Sequence, residues 1–178
     1  KFIELESLSI LGITIGSALA GDGLMCNGAA LAFNKEAWLS LEQNGGNYSS
    51  GDDMFALEAF KKAKAGIGTI VNPSLVVEVE APKTLSGTLS QRLRWAGKAK
   101  GYRDPSIILF GLTTLMCSLL TLLCLLIASE SRQYELVLAI WSLRFICEYL
   151  LLFLIQNRIQ KHAQVWMYPI AAIFYPFY

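Results

Sequence analysis

The sequence predicts a mixed α/β globular segment at residues 1–104, followed by transmembrane α-helices at 105–178. Three observations predict it. Residues Ser106 to Ser129 run for 24 positions without a charge, ample for a tilted membrane helix. Leu75 to Glu80 alternates like a strand, with Glu78 and Glu80 on the outward face. Between these patterns lie capped helical segments of ordinary globular length. The chain is 54% hydrophobic over 178 residues, with mean hydropathy +0.45, too apolar for an ordinary soluble domain.

The elements follow in order. Phe2 to Ala20 reads as a helix, apolar from Leu8 onward, and that apolar length suits a core or interfacial helix better than a full span. Gly21-Asp22-Gly23 is a turn, and Leu24 to Phe33 reads as strand or extended loop around Asn27-Gly28. Asn34 caps a short helix, Lys35 to Leu41, with Glu36 in its first turn. Asn44 to Asn47 is a loop. Ser50 to Asp53 opens a helix, Met54 to Lys64, whose closing lysines suit the helix dipole. A further helix runs from about Leu85 to Lys100, where Gly101 can terminate it. The first span, at about 106–129, leads through a polar link, Ser129 to Glu135, into a second at about 136–155. A third begins at about residue 165.

Composition excludes several classes. Net charge is +1, so no global field argues for nucleic acid. Positive charge is local instead: Arg92, Arg94, Lys98, Lys100 and Arg103 crowd the stretch before the first span, and the last three read as a solvated edge facing lipid phosphate. Cys26, Cys117, Cys124 and Cys147 have no C-x-x-C spacing and read as small buried residues. His162 is the only histidine, so no His-based triad or multi-His metal site fits within this chain. Basic residues before the first span and after the second, against a lone Arg132 between them, predict a cytoplasmic globular segment at the inner (plasma) membrane. A start without Met and an end inside an apolar stretch lead us to expect a piece cut at both ends, one that does not fold alone.

Two charges, Arg144 and Glu148, stand four apart in the second span. Each is costly there, by about 2.5–3.5 kcal/mol for an Arg on insertion scales. Mutual pairing reduces that cost, so they read as a structural ion pair or as a polar lining.

Chemistry concentrates elsewhere. In Gln91-Arg92-Leu93-Arg94-Trp95, helical spacing puts Gln91, Arg94 and Trp95 on one face, with Arg92 pointing away. That face offers an amide, a fixed cation suited to a pyrophosphate, and a ring on which a sugar can stack. The plain alternative is an interfacial anchor, since Trp and Arg both favour the membrane surface. Asp52 and Asp53, 38 positions before Gln91 in the case of Asp53, could supply a base or merely cap a helix.

Met25-Cys26-Asn27-Gly28-Ala29, Gly51-Asp52-Asp53 and Gln91-Arg92-Leu93-Arg94-Trp95, in that order and before hydrophobic spans, resemble the membrane-bound family 2 glycosyltransferases. That group holds the cellulose, chitin and hyaluronan synthases, and its signature is Q-x-x-R-W. The resemblance implies the C-terminal part of a GT-A type domain and an inverting transfer from a nucleotide-sugar, a UDP-sugar by preference, to a saccharide or lipid-linked acceptor. By it, Asp53 is the general base and Asp52 the neighbouring acid. Arg94 holds the departing diphosphate, Gln91 positions substrate, and Trp95 stacks on the acceptor. Cys26 and Asn27 belong to an acceptor-side loop, for which a plain tight turn is the alternative. A divalent metal, Mg or Mn, is expected in the full enzyme on an Asp-x-Asp motif that this sequence lacks. Gly51 and Asp52 replace the Thr and Glu of the cellulose-type motif, which argues against cellulose. A transporter fragment and an inactive membrane scaffold are the competing readings.

Overall fold

The structure, a computed structural model, describes residues 2–41, 51–130, 134–160 and 163–174. The expected loop at Asn44 to Asn47, the helix-opening Ser50, Arg132 in the polar link, and Lys161 with His162 lie outside the described residues. Seven α-helices are described: α1 (Phe2–Leu19), α2 (Lys35–Ser40), α3 (Asp52–Lys62), α4 (Leu85–Lys98), α5 (Pro105–Glu130), α6 (Tyr134–Ile159) and α7 (Tyr168–Phe174). Short 3-10 turns occur at Gly28–Ala30, Pro73–Leu75, Ala99–Gly101 and Val165–Met167.

No β-strand forms among the described residues, so the expected α/β, GT-A type fold is overturned: these residues are helical. The alternation at Leu75 to Glu80 is real, but Val77 and Val79 lie exposed and no neighbouring strand offers a ladder. A lone strand leaves its backbone groups to water, and β preference reflects packing against neighbours more than the chain itself. Leu24 to Phe33 is likewise extended only in part, with its 3-10 turn in the middle.

The chain divides into two compact units: Lys1–Gly12 with Phe110–Tyr178, and Ile13–Leu109. In the first, α1 packs on α6 at Gly12, where an added Cβ would meet Ile155 Cγ1 at 3.1 Å. Small residues permit such close helix approach in membranes. Leu8 and Leu5, one and two turns back on the same face, are buried, as are Leu152, Ile155 and Ile159 of α6. Tyr168 of α7 packs on Phe145 and Tyr149, at ring separations of 5.3 and 6.5 Å.

Three helices are long and apolar enough to cross a membrane: Phe2–Leu19, Pro105–Cys124 and Val137–Ile159. The first is expected as a core or interfacial helix from its apolar run alone; taken whole, its 18 residues are also long and apolar enough to cross. At 1.5 Å per residue that is about 27 Å, near the thickness of a hydrocarbon core.

Arg144 Nε reaches Glu148 Oε1 at 2.7 Å, and its Nη1 bonds Thr121 Oγ1 and, at 3.4 Å, the Cys117 carbonyl of α5. The pair therefore joins α5 to α6, which favours its structural reading. Removing one member strands the other in an apolar surrounding; removing both does not. We expect Arg144→Leu and Glu148→Leu each to lower the thermal unfolding midpoint in detergent more than the double substitution does.

In the second unit α3 is the hub. Phe55, Ala56, Leu57 and Ala59 are buried, with Phe55 against Tyr102 at 5.6 Å and Leu57 against Gly23. Phe60 meets Phe33 and Trp38 at 5.9 and 6.3 Å. Near the end of α3, Lys61 Nζ lies 2.5 Å from Asp22, 2.9 Å from Asp104 and 3.1 Å from the Gly23 carbonyl. Glu58 Oε1 accepts from the backbone N–H groups of Arg103 (2.6 Å) and Asp104 (2.7 Å). Asp104 Oδ1 also caps α5 by accepting from Ile107 N–H at 3.0 Å.

Burial alone would lower the Lys61 pKa, but hydrogen bonds to Asp22 and Asp104 outweigh it and hold it above the ordinary value. Asp22 is held below its ordinary 3.8 by hydrogen bonds from Lys61 and Ser106. A depressed carboxyl stabilises above its unfolded value and loses that contribution as pH falls through its folded one. A raised lysine does the reverse at the alkaline end, so the cluster is intact throughout the neutral range. Lys61→Met leaves Asp104 without its cation and should cost stability towards the lower end of about 3–5 kcal/mol at neutral pH. Thermal unfolding beside Lys61→Arg checks this, with the arginine variant, which keeps the cation, recovering most of the loss.

Candidate active site

The first turn of α3 carries the acidic pair. Gly51 precedes it in the left-handed conformation, φ 110°. That backbone conformation strains any L side chain, and an added Cβ would also lie 2.8 Å from Lys98 Cδ and 3.3 Å from the Phe55 ring. This close approach brings the end of α4 against the start of α3. Asp52 is exposed, whereas Asp53 is half-buried.

Asp53 Oδ1 accepts from Met54 N–H at 2.9 Å, and Oδ2 accepts from Gly28 N–H at 3.2 Å. Each carboxylate oxygen carries two lone pairs, so both keep acceptor capacity for a further hydroxyl. The Cys26 thiol donates to the Asp53 carbonyl at 2.9 Å. Residues 26–28 thus grip Asp53 at both main chain and side chain. Burial pushes the Cys26 thiol up to about 12, with the Asp53 charge adding to it. The thiol is therefore neutral at physiological pH and keeps the proton that it donates. Tyr102 is also pushed up to about 12, by burial first and then by the charges of Asp53 and Glu58.

Asn27 is placed differently. It is exposed, and its Oδ1 accepts from Ala29 N–H at 3.1 Å, capping the 3-10 turn. That is the tight-turn alternative, although the turn itself presents Gly28 to Asp53.

Gln91, Arg94 and Trp95 lie together on α4, which Thr84 caps by accepting from Gly87 N–H. Gln91 is half-buried, Arg94 exposed, and Trp95 40% exposed. Arg92, expected to point away, places its guanidinium 4.3 Å from the centre of the Trp95 ring. One ring face is therefore occupied by a cation, and a stacking sugar has the other. Lys98 follows Gln91 by seven residues and Arg94 by four, so it shares their side of the helix. It is half-buried with its methylenes against Gly51, not the wholly solvated edge that the charge run predicts. Lys98 and Tyr102 are the residues that sequence reasoning missed beside this site. The helical spacing from Gln91 would have found the lysine; no local signal marks the tyrosine.

Among the described residues no group of three or more His, Cys, Asp or Glu side chains comes together to hold a metal ion. The Mg or Mn that the resemblance implies belongs to an Asp-x-Asp motif outside this sequence, on which the described residues do not bear.

The Cys26 contact has a direct check. With Cys117, Cys124 and Cys147 replaced by Ser, the native protein should react slowly with a thiol-alkylating reagent at pH 8. Denaturation should restore the ordinary rate. Rapid native labelling would show a free thiol without the Asp53 contact.

No curated protein and no solved structure matches the chain. The family model described as Glycosyl transferase family 21 matches residues 4–178. This corrects the family 2 membership that the three motifs resemble, while keeping glycosyl transfer as the class of chemistry. Covering all but the first residues, the match shows that the chain belongs to glycosyl transferase family 21.

Proposed function

We propose that Asp53 is the general base of an inverting transfer from a UDP-sugar to the hydroxyl of a lipid-linked acceptor at the membrane surface. The observation that carries this reading is the placement of α3. Its first turn holds Asp53 with acceptor capacity to spare, and Glu58 and Lys61 further along bind the residues that follow α1 and precede α5. Asp53 and Lys61 are eight residues apart, about 12 Å along a helix. A base so close to the ends of two candidate spans suits an acceptor whose hydroxyl is presented by the bilayer.

In this reading the acceptor oxygen attacks the anomeric carbon as Asp53 takes its proton. The bond from that carbon to the diphosphate oxygen breaks, and the nucleoside diphosphate leaves with the electron pair. Arg94, helped by Lys98, balances the charge on the leaving group, a role that a fixed guanidinium suits. Gln91 orients the substrate, and the free face of Trp95 stacks on a sugar. Basic residues between Arg92 and Arg103 and at Arg158 flank the spans and favour a cytoplasmic site, where nucleotide sugars are available. Family membership favours this enzyme reading over a transporter or a scaffold.

The test is nucleotide release from the full-length protein in membranes, with a panel of UDP- and GDP-sugars and added lipid extract. Asp53→Asn should lower turnover by about 10²–10⁴-fold, the usual worth of a general base. Arg94→Ala should also reduce release, with the unfolding midpoint retained in both variants. Near-normal turnover in folded Asp53→Asn would remove the aspartate from this role.

A further inference from the structure

The one strongly two-sided helix among the described residues is α4, and only one of its sides is covered by protein. Thr88 is buried, and Lys98 is half-buried where it meets Gly51 at the start of α3, with Gln91 half-buried on the same side of the helix. On the opposite face Leu85, Leu89 and Leu93, each four residues after the last, are 79%, 49% and 66% exposed. Three leucines in one stripe are costly to leave in water, and scattered surface apolar residues do not form such a line.

We propose that this stripe is a lipid-docking surface, with α4 lying along the bilayer and Leu85, Leu89 and Leu93 entering its interfacial layer. Two observations select lipid over a protein partner. The edge of the stripe carries the stacked Arg92 and Trp95 pair, residue types that favour the headgroup zone. Only residues 99–104 separate α4 from α5, a candidate span, and Lys100 and Arg103 within that link are exposed cations suited to lipid phosphate. The arrangement leaves Gln91 and Arg94 on the side away from the lipid. It does not rest on the catalytic reading of Asp53.

The experiment labels single cysteines with an environment-sensitive fluorophore in the full-length protein. The protein is placed in nanodiscs of phosphatidylcholine with a minority of phosphatidylglycerol. Labels at positions 85, 89 and 93 should be blue-shifted, quenched by lipids carrying a doxyl group high on the acyl chain, and shielded from aqueous iodide. Labels at Ser90 and Arg94, on the far side of the helix, should show the opposite pattern. All of these replace exposed residues, and an unchanged unfolding midpoint certifies each labelled protein. Iodide quenching at all five positions would overturn the proposal. So would shielding of the leucine positions without lipid quenching, which would mean that protein covers them.

Discussion

The second unit depends on one half-hidden cation. Lys61 sits where the segment after α1 and the residue before α5 both reach α3, and each contributes a carboxylate to it. An ammonium with a side chain 11% exposed would be costly alone, since burial penalises its charge. Two carboxylates and a backbone carbonyl reverse that balance. Glu58 adds grip from one turn away by accepting two successive backbone N–H groups. The consequence is geometric: α3 cannot shift without breaking several charge-assisted bonds at once.

That rigidity gives the start of α3 its meaning. A carboxylate acts as a base only if it is held in place, and Asp53 is held from three directions. The Gly28 N–H fixes one oxygen, the Cys26 thiol fixes the main chain, and Gly51 lets α4 close over the preceding turn. The same loop residues would serve a simple capping role equally well in a protein without the family's chemistry. Membership in glycosyl transferase family 21 makes an acid at this point chemically significant.

The two faces of α4 divide the labour of that helix. One meets α3 and carries the amide and cations suited to a substrate; the other is a bare leucine stripe. Gln91, Arg94 and Lys98 follow each other at helical spacing on the first, as Leu85, Leu89 and Leu93 do on the second. A helix of this kind at a membrane surface would couple the position of the substrate-facing groups to the plane of the bilayer.

The sequence by itself determined the helices and the caps. Asn34 begins α2 because its side chain accepts a first free N–H group, and the charge-free run from Ser106 admits only a helix in lipid. It also determined the spacing of Gln91, Arg94 and Trp95 and the pairing of Arg144 with Glu148, since both are set within one or two helical turns. Strands were misread because a strand is defined by its neighbour: Leu75 to Glu80 has the alternation but no partner edge. The motifs pointed to family 2 instead of family 21 for a related reason, since short motifs carry local chemistry and not the whole chain's descent. Only the tertiary structure decided that Lys61 joins Asp22 to Asp104, that Lys98 packs on Gly51, and that Cys26 and Gly28 hold Asp53. Those contacts join residues about 25 to 47 positions apart, and no periodicity within a segment specifies which distant segment it will meet.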